Sequence, residues 1–265
     1  MKIKEITDFL ETIAPLEYQE RYDNAGLIVG DINNDFKGAL ICLDSTEEVV
    51  DEAIDLGYNF IIAHHPIIFQ GIKKLTGKTY IGRTILKAIK NDIAIYAMHT
   101  NLDNAFLNGV STKIANKLGF ENLEILDPKP EFLIKNQQVG TGVIANLENE
   151  MEEMEFLNYL KEKLKLNCIK YTSLRNKPVR KVAICGGACS FLLKKAKYVG
   201  ADVFVTADFK YHEFFDAEKN IIIADIGHYE SEIYTIELIF DILKNNFSNF
   251  AAQLTKVITN PVKYL

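Results

Sequence analysis

Apolar side chains at Ile3, Ile6, Phe9, Leu10 and Ile13 share one helical face, and Pro15 ends that run. A polar loop over residues 22–31 then leads into a short strand. Residues 39–43 read as a strand, and Asp44-Ser45-Thr46 offers N-cap side chains for a helix over about 46–56. Gly57 closes that helix and residues 59–63 form the next strand. This βαβ unit runs straight into His64-His65-Pro66. The alternation continues with a helix over 80–90 and a strand over 93–98 that ends at His99-Thr100-Asn101-Leu102-Asp103. A helix over about 109–118 follows.

Residues 126–140 carry Pro128, Pro130 and polar side chains, and mark the clearest boundary. Beyond it the pattern predicts a strand over 139–145 and a charged helix over 150–165. The opening motif then returns. Val182-Ala183-Ile184-Cys185 matches Leu40-Ile41-Cys42 at an offset of 143, Gly200 matches Gly57, and residues 202–206 match 59–63 without a gap. A shared offset across three features predicts an internal duplication of the βαβ unit, and it places Asp208 where His65 stands. A last strand over 221–224 runs into Asp225-Ile226-Gly227-His228, followed by one long helix over about 229–245. The expected fold is α/β: two related βαβ-containing lobes, residues 1–126 and 127–265. The metal site would sit between them at the strand C-terminal ends, with the terminal helix placed to pack across both.

Composition narrows the partners. A net charge of −6 over 265 residues argues against non-specific nucleic-acid binding, which needs a basic surface. No apolar run reaches the length of a membrane span and no secretory leader is read at the N-terminus, so a cytoplasmic protein is expected. Cys42, Cys168, Cys185 and Cys189 contain no CxxC pair, which predicts reduced thiols rather than a zinc ribbon or disulfide framework.

The candidate chemistry lies at three strand ends. Pro66 biases His65 toward extended backbone, where successive side chains point to opposite sides. On that reading His64 and His65 reach two different ions. His228 and Glu232, four apart on a helix, share a face, whereas Glu230 points elsewhere. A mixed imidazole–carboxylate set suits zinc, iron(II) or manganese rather than calcium. Cys185-Gly186-Gly187-Ala188-Cys189 reads either as a turn that receives a phosphate on backbone N–H groups or as a tight structural turn.

These stretches together resemble the NIF-three-like family of dinuclear-metal proteins, which also carry the name GTP cyclohydrolase I type two. The likeness rests on Asp23-Asn24-Ala25-Gly26-Leu27, His64-His65-Pro66, His99-Thr100-Asn101-Leu102-Asp103, Gly186-Gly187, Thr206-Ala207-Asp208, and Gly227-His228 with Glu232. It implies that His64, His65, Asp103, His228 and Glu232 bind two divalent ions, with Glu232 shared and His99 beside the site. It also implies a toroidal homohexamer with the sites facing an inner cavity. The family usually has tryptophan where Tyr22 stands, and glycine where Ala207 stands. Longer relatives carry an inserted domain for which the stretch between Leu126 and Val179 is too short, so the chain resembles the short form.

The leading reading is metal-dependent hydrolysis of a small molecule, a nucleotide foremost; the resemblance implies that the reaction opens the GTP imidazole ring. His99 or Asp208 would carry protons, and Lys73, Lys74, Lys78 or Arg83 would meet phosphate. Five ligands shared between two ions leave room for water, which favours chemistry over storage. The other class is a metal carrier or interaction protein without turnover.

Overall fold

The computed structural model describes residues 1–132, 138–247 and 250–265. In chain order the strands are β1 (Gly26–Val29), β2 (Ala39–Cys42), β3 (Phe60–Ala63), β4 (Ala94–Ala97), β5 (Glu124–Pro128) and β6 (Gly140–Met151). They continue with β7 (Lys170–Tyr171), β8 (Val179–Ile184), β9 (Val203–Thr206), β10 (Ile222–Asp225) and β11 (Ala252–Leu254). The helices are α1 (Ile3–Ile13), α2 (Glu47–Asp55), α3 (Tyr80–Lys90), α4 (Thr100–Asp103) and α5 (Val110–Lys117). After them come α6 (Glu153–Lys163), α7 (Leu193–Tyr198), α8 (His228–Glu232) and α9 (Tyr234–Asn246).

Two compact units emerge. The first comprises Met1–Leu102 and Thr235–Pro261, and the second Asp103–Tyr234 and Val262–Leu265. The division thus falls upstream of residue 126, which lies inside β5, and residues 235–261 belong with the first unit.

In the first unit the sheet order is β1-β4-β3-β2-β11, with β1 antiparallel and the others parallel. Every residue of β2, β3 and β4 is buried, as expected of parallel strands covered on both faces. Leu40, Ile61 and Ile95 pack with Val49, Val50 and Ala53 of α2 and with Ile85 and Ala88 of α3. Thr46 caps α2 by accepting from Val49 N at 3.3 Å. Asp44, another N-cap candidate, is used otherwise.

In the second unit the order is β5-β6-β8-β9-β10-β7, parallel across β8, β9 and β10 and antiparallel elsewhere. Ala183, Phe204 and Ile223 pack with Leu193 and Ala196 of α7. The repeat extends to the register. Ala39↔Phe60, Leu40↔Ile61 and Ile41↔Ile62 become Val182↔Val203, Ala183↔Phe204 and Ile184↔Val205 at the same offset of 143. Gly57 and Gly200, at φ +69° and +72°, make the same left-handed turn from helix to strand.

Three expectations change. Strand β6 runs to Met151 because it pairs with β8 well beyond residue 145. The long last helix is two, α8 and α9, with Ile233 as the joint. Cys185 and Cys189 form a disulfide rather than reduced thiols, because the turn after β8 brings their Cα atoms to 6.1 Å. No helix among the described residues is long and apolar enough to cross a membrane.

Candidate metal centre

In the first unit the site grows from the ends of β3 and β4. His64 N and His65 N still donate to Cys42 O and Leu43 O, at 3.1 and 2.9 Å. Both residues nevertheless lie in a bend beyond the strand, so pleat alternation no longer applies. Their rings stand 4.9 Å apart, and His99 stands 5.4 Å from each. Each of the three offers a ring nitrogen within 4.8 Å of the other two. The expected divergence of His64 from His65 is therefore replaced by convergence.

What holds the rings is as informative as their proximity. His64 Nδ1 bonds Met98 O at 2.7 Å, His65 Nδ1 bonds Asp44 Oδ1 at 2.8 Å, and His99 Nδ1 bonds Asp23 Oδ1 at 2.7 Å. Carbonyls and carboxylates only accept, so each Nδ1 carries a proton, and the neutral form of each ring has its lone pair on Nε2. This is how metal-ligating histidines are ordinarily oriented. Burial by itself would push Asp23 up. Hydrogen bonds from His99, Thr100 and the Asn24 backbone, with the charge of His99, outweigh it and bring Asp23 down to about 2. Phe69 meets His99 edge-on at 5.5 Å.

In the second unit Asp103 closes α4, and Asp208 follows β9 at φ +59°, a left-handed conformation that aspartate tolerates. Gly227, at φ +91°, launches α8 beyond β10. His228 Nδ1 bonds Asp208 Oδ2 at 2.7 Å, and His228 Nε2 lies 3.0 Å from Glu232 Oε2. Both ring nitrogens thus face carboxylate oxygens. Such an arrangement needs a proton, on the imidazolium or on the Glu232 carboxyl, or a cation shared by Nε2 and Oε2. With metal–ligand bonds of about 2.0–2.2 Å, two donors on one ion stand roughly 3–3.4 Å apart, so the pair fits a metal.

Glu232 is 3% exposed, and burying a carboxylate without a positive partner costs several kcal/mol. Gly187, at φ +71°, lies so close that a Cβ there would collide with Glu232 Oε1. Its N–H donates to Ser231 Oγ at 2.9 Å, and its carbonyl accepts from Ala207 N at 3.0 Å. The glycine pair thus packs against a site carboxylate, which supports the structural-turn alternative. Glu230 lies against Gly227 and bonds the Tyr264 hydroxyl, away from the His228–Glu232 pair.

His64, His65 and His99 therefore come together in one unit, and Asp208, His228 and Glu232 in the other. Arg83 is engaged with Glu47 at 2.8 Å, while Lys73, Lys74 and Lys78 are exposed. The sequence pattern missed Asp44 as a histidine partner. The signal was present, since Asp44 also follows a parallel strand.

Comparison with known proteins places the chain among named relatives. A homologue from Clostridium perfringens named GTP cyclohydrolase 1 type 2 homolog is 36% identical, covering 88% of this chain and 87% of the relative. One of the same name from Campylobacter jejuni is 35% identical, covering 92% and 93%. The alignment with the Staphylococcus epidermidis homologue runs over 371 positions against 265 residues here, so that relative is about a hundred residues longer. Among solved structures, a Staphylococcus aureus hypothetical protein matches with a TM-score of 0.90 at 32% identity, over 100% of this chain and 99% of that one. A Bacillus cereus protein related to NIF3 matches with a TM-score of 0.90 at 27% identity, over 100% and 99%. The model of the Duf34/NIF3 family (NGG1p interacting factor 3) matches residues 1–261, and the chain belongs to that family.

Proposed function

We propose that the chain is a dinuclear metal-dependent hydrolase of a small molecule. In this reading His64, His65, Asp103, His228 and Glu232 hold two divalent ions of the zinc, iron or manganese class. The observation that carries it is the common orientation of the site histidines. His64, His65, His99 and His228 all bond an oxygen acceptor through Nδ1. Convergence of His64 and His65 removes the argument for two ions from diverging side chains, so their number rests on the family resemblance. When bound, two such ions supply a water of lowered pKa and positive charge for the developing anion.

The chain's own groups do the rest. Asp44 and the Met98 carbonyl orient the first pair of rings. Asp208, expected as a proton carrier, is bonded to His228 Nδ1 and so sets that ring's tautomer. His99, held by Asp23, is the group to take or give a proton at Nε2. Phe69 packs against that ring with centroids 5.5 Å apart. The relatives' name makes ring-opening hydrolysis of a purine nucleotide the first reaction to try, with Lys73, Lys74 and Lys78 as cations for its phosphates.

The test is a nucleotide panel incubated with protein reconstituted with zinc, manganese or iron, read by product mass. Gain of one water on one nucleotide, lost on chelation, is expected. Protein that holds two ions and turns over nothing in the panel would favour the carrier reading instead.

A further inference from the structure

We propose that Thr259 is a positioning residue for the metal centre, acting through Asp44 on His65; the ligand role of His65 rests on the function proposed above. Thr259 lies in the C-terminal segment, which β11 lays alongside β2 in parallel register from Ala252↔Ala39 to Leu254↔Ile41. The attachment continues beyond the strand. Thr255 N donates to Ile41 O at 2.9 Å, the Thr255 hydroxyl bonds Glu52, and Lys256 N donates to Glu52 Oε1 at 3.0 Å. The segment is thus tethered along β2, and Asp44 leaves the end of that strand.

There the Thr259 hydroxyl donates to Asp44 Oδ2 at 2.6 Å, while Asp44 Oδ1 accepts from His65 Nδ1 at 2.8 Å. Both oxygens of one carboxylate are gripped, so its rotation is fixed, and with it the tautomer and plane of the His65 ring. Asp44 needs such a grip because its side chain is 36% exposed. Without the hydroxyl it could turn toward water. The same construction recurs at His99, whose partner Asp23 is gripped by the hydroxyl and N–H of Thr100. His64 needs no counterpart, because its acceptor is a backbone carbonyl already fixed by the chain. A threonine thus backs each carboxylate that orients a histidine of the trio, and one of them lies 215 residues from its aspartate.

The experiment compares Thr259→Val, which keeps the shape without the hydroxyl, with Thr259→Ser, which keeps the hydroxyl. Asp44→Ala is made alone and combined with Thr259→Val. In metal-free protein the ¹⁵N shifts of the His65 ring report which nitrogen carries the proton. Wild type and Thr259→Ser should show Nδ1–H, and Thr259→Val a mixture. Zinc affinity by calorimetry should fall about three- to tenfold in Thr259→Val, a step below the 10–100-fold typical of direct partners of ligands. It should stay within about twofold in Thr259→Ser. In the Asp44→Ala background Thr259→Val should add less than about twofold, because the two act in series. If Thr259→Val does not fold, Thr259→Ala takes its place. An unchanged His65 tautomer in the hydroxyl-free variant would overturn the relay. So would a loss of affinity that persists in full without Asp44. Should wild type bind no zinc, the metal reading fails, while the ring shifts still decide the relay.

Discussion

Glu232 is the residue on which the proposed metal reading turns, since in that proposal one carboxylate would contribute a ligand and a negative charge to both ions. Glu232→Ala should abolish or greatly weaken binding of both in a calorimetric titration. Asp103→Ala should weaken mainly one ion and His228→Ala mainly the other. Glu230→Ala should leave both within about twofold, because its carboxylate faces Tyr264. Retention of both ions at native affinity in the Glu232, Asp103 and His228 variants would sink this ligand assignment, and a single ion bound by wild type would sink the dinuclear one. Asp23 makes a second test at this scale. Its folded pKa of about 2 lies below the ordinary 3.8, so the unfolded chain binds the proton more tightly. The resulting stability is present above pH 4 and is lost as the pH falls through 2. Asp23→Asn should therefore be less stable than wild type at pH 7 in urea titrations, with the gap closing toward pH 2. An equal gap at both extremes would mean that the aspartate's charge is not what matters.

Among the elements, the short turn between β8 and α7 bears on the site through Gly187. Gly187→Ala adds a Cβ against Glu232 Oε1 and forces a left-handed alanine, a strain of about 1 kcal/mol. The protein should fold with a small drop in denaturation midpoint yet bind zinc about tenfold or more weakly, because Glu232 must move. Native affinity in that variant would mean that Glu232 has slack and the turn is merely structural. Gly57→Ala and Gly200→Ala serve as controls. Both have positive φ but open space around the added methyl, so strain should appear without any change in metal affinity. The separation of α8 from α9 belongs at this scale as well. His228 and Glu232 occupy the two ends of α8, and the i,i+4 spacing that brought them together needs only that one turn.

For the whole molecule, the duplicated register puts site residues at equivalent strand ends and gives them different duties. His65 and Asp208 occupy matching positions 143 residues apart, one as candidate ligand and the other as the partner that orients His228. The family resemblance further implies a ring of six subunits. Light scattering at micromolar concentration should give six times the 30.0 kDa chain mass. A monomer across that range would remove the closed cavity that only ring closure creates.

The sequence by itself determined the parallel cores of both units. Runs such as Phe60-Ile61-Ile62-Ala63 are apolar on both faces, short, and flanked by Gly57 and Pro66, which reads as a buried strand, and the offset of 143 carried their register. It also determined the pairing of His228 with Glu232, because helical spacing is local. Short contacts between distant residues were decided only by the tertiary structure. Strand β11 is three residues long with Gln253 at its centre, too brief for any periodicity to mark it. The bend that turns His64 and His65 together begins directly after β3 while their N–H groups still bond Cys42 and Leu43, so nothing in the local pattern marks where alternation ends. The partners Asp23, Asp44 and Thr259 follow no spacing relative to their histidines. Their placement comes from which chain ends the sheet sets side by side, and a one-dimensional pattern does not contain that information.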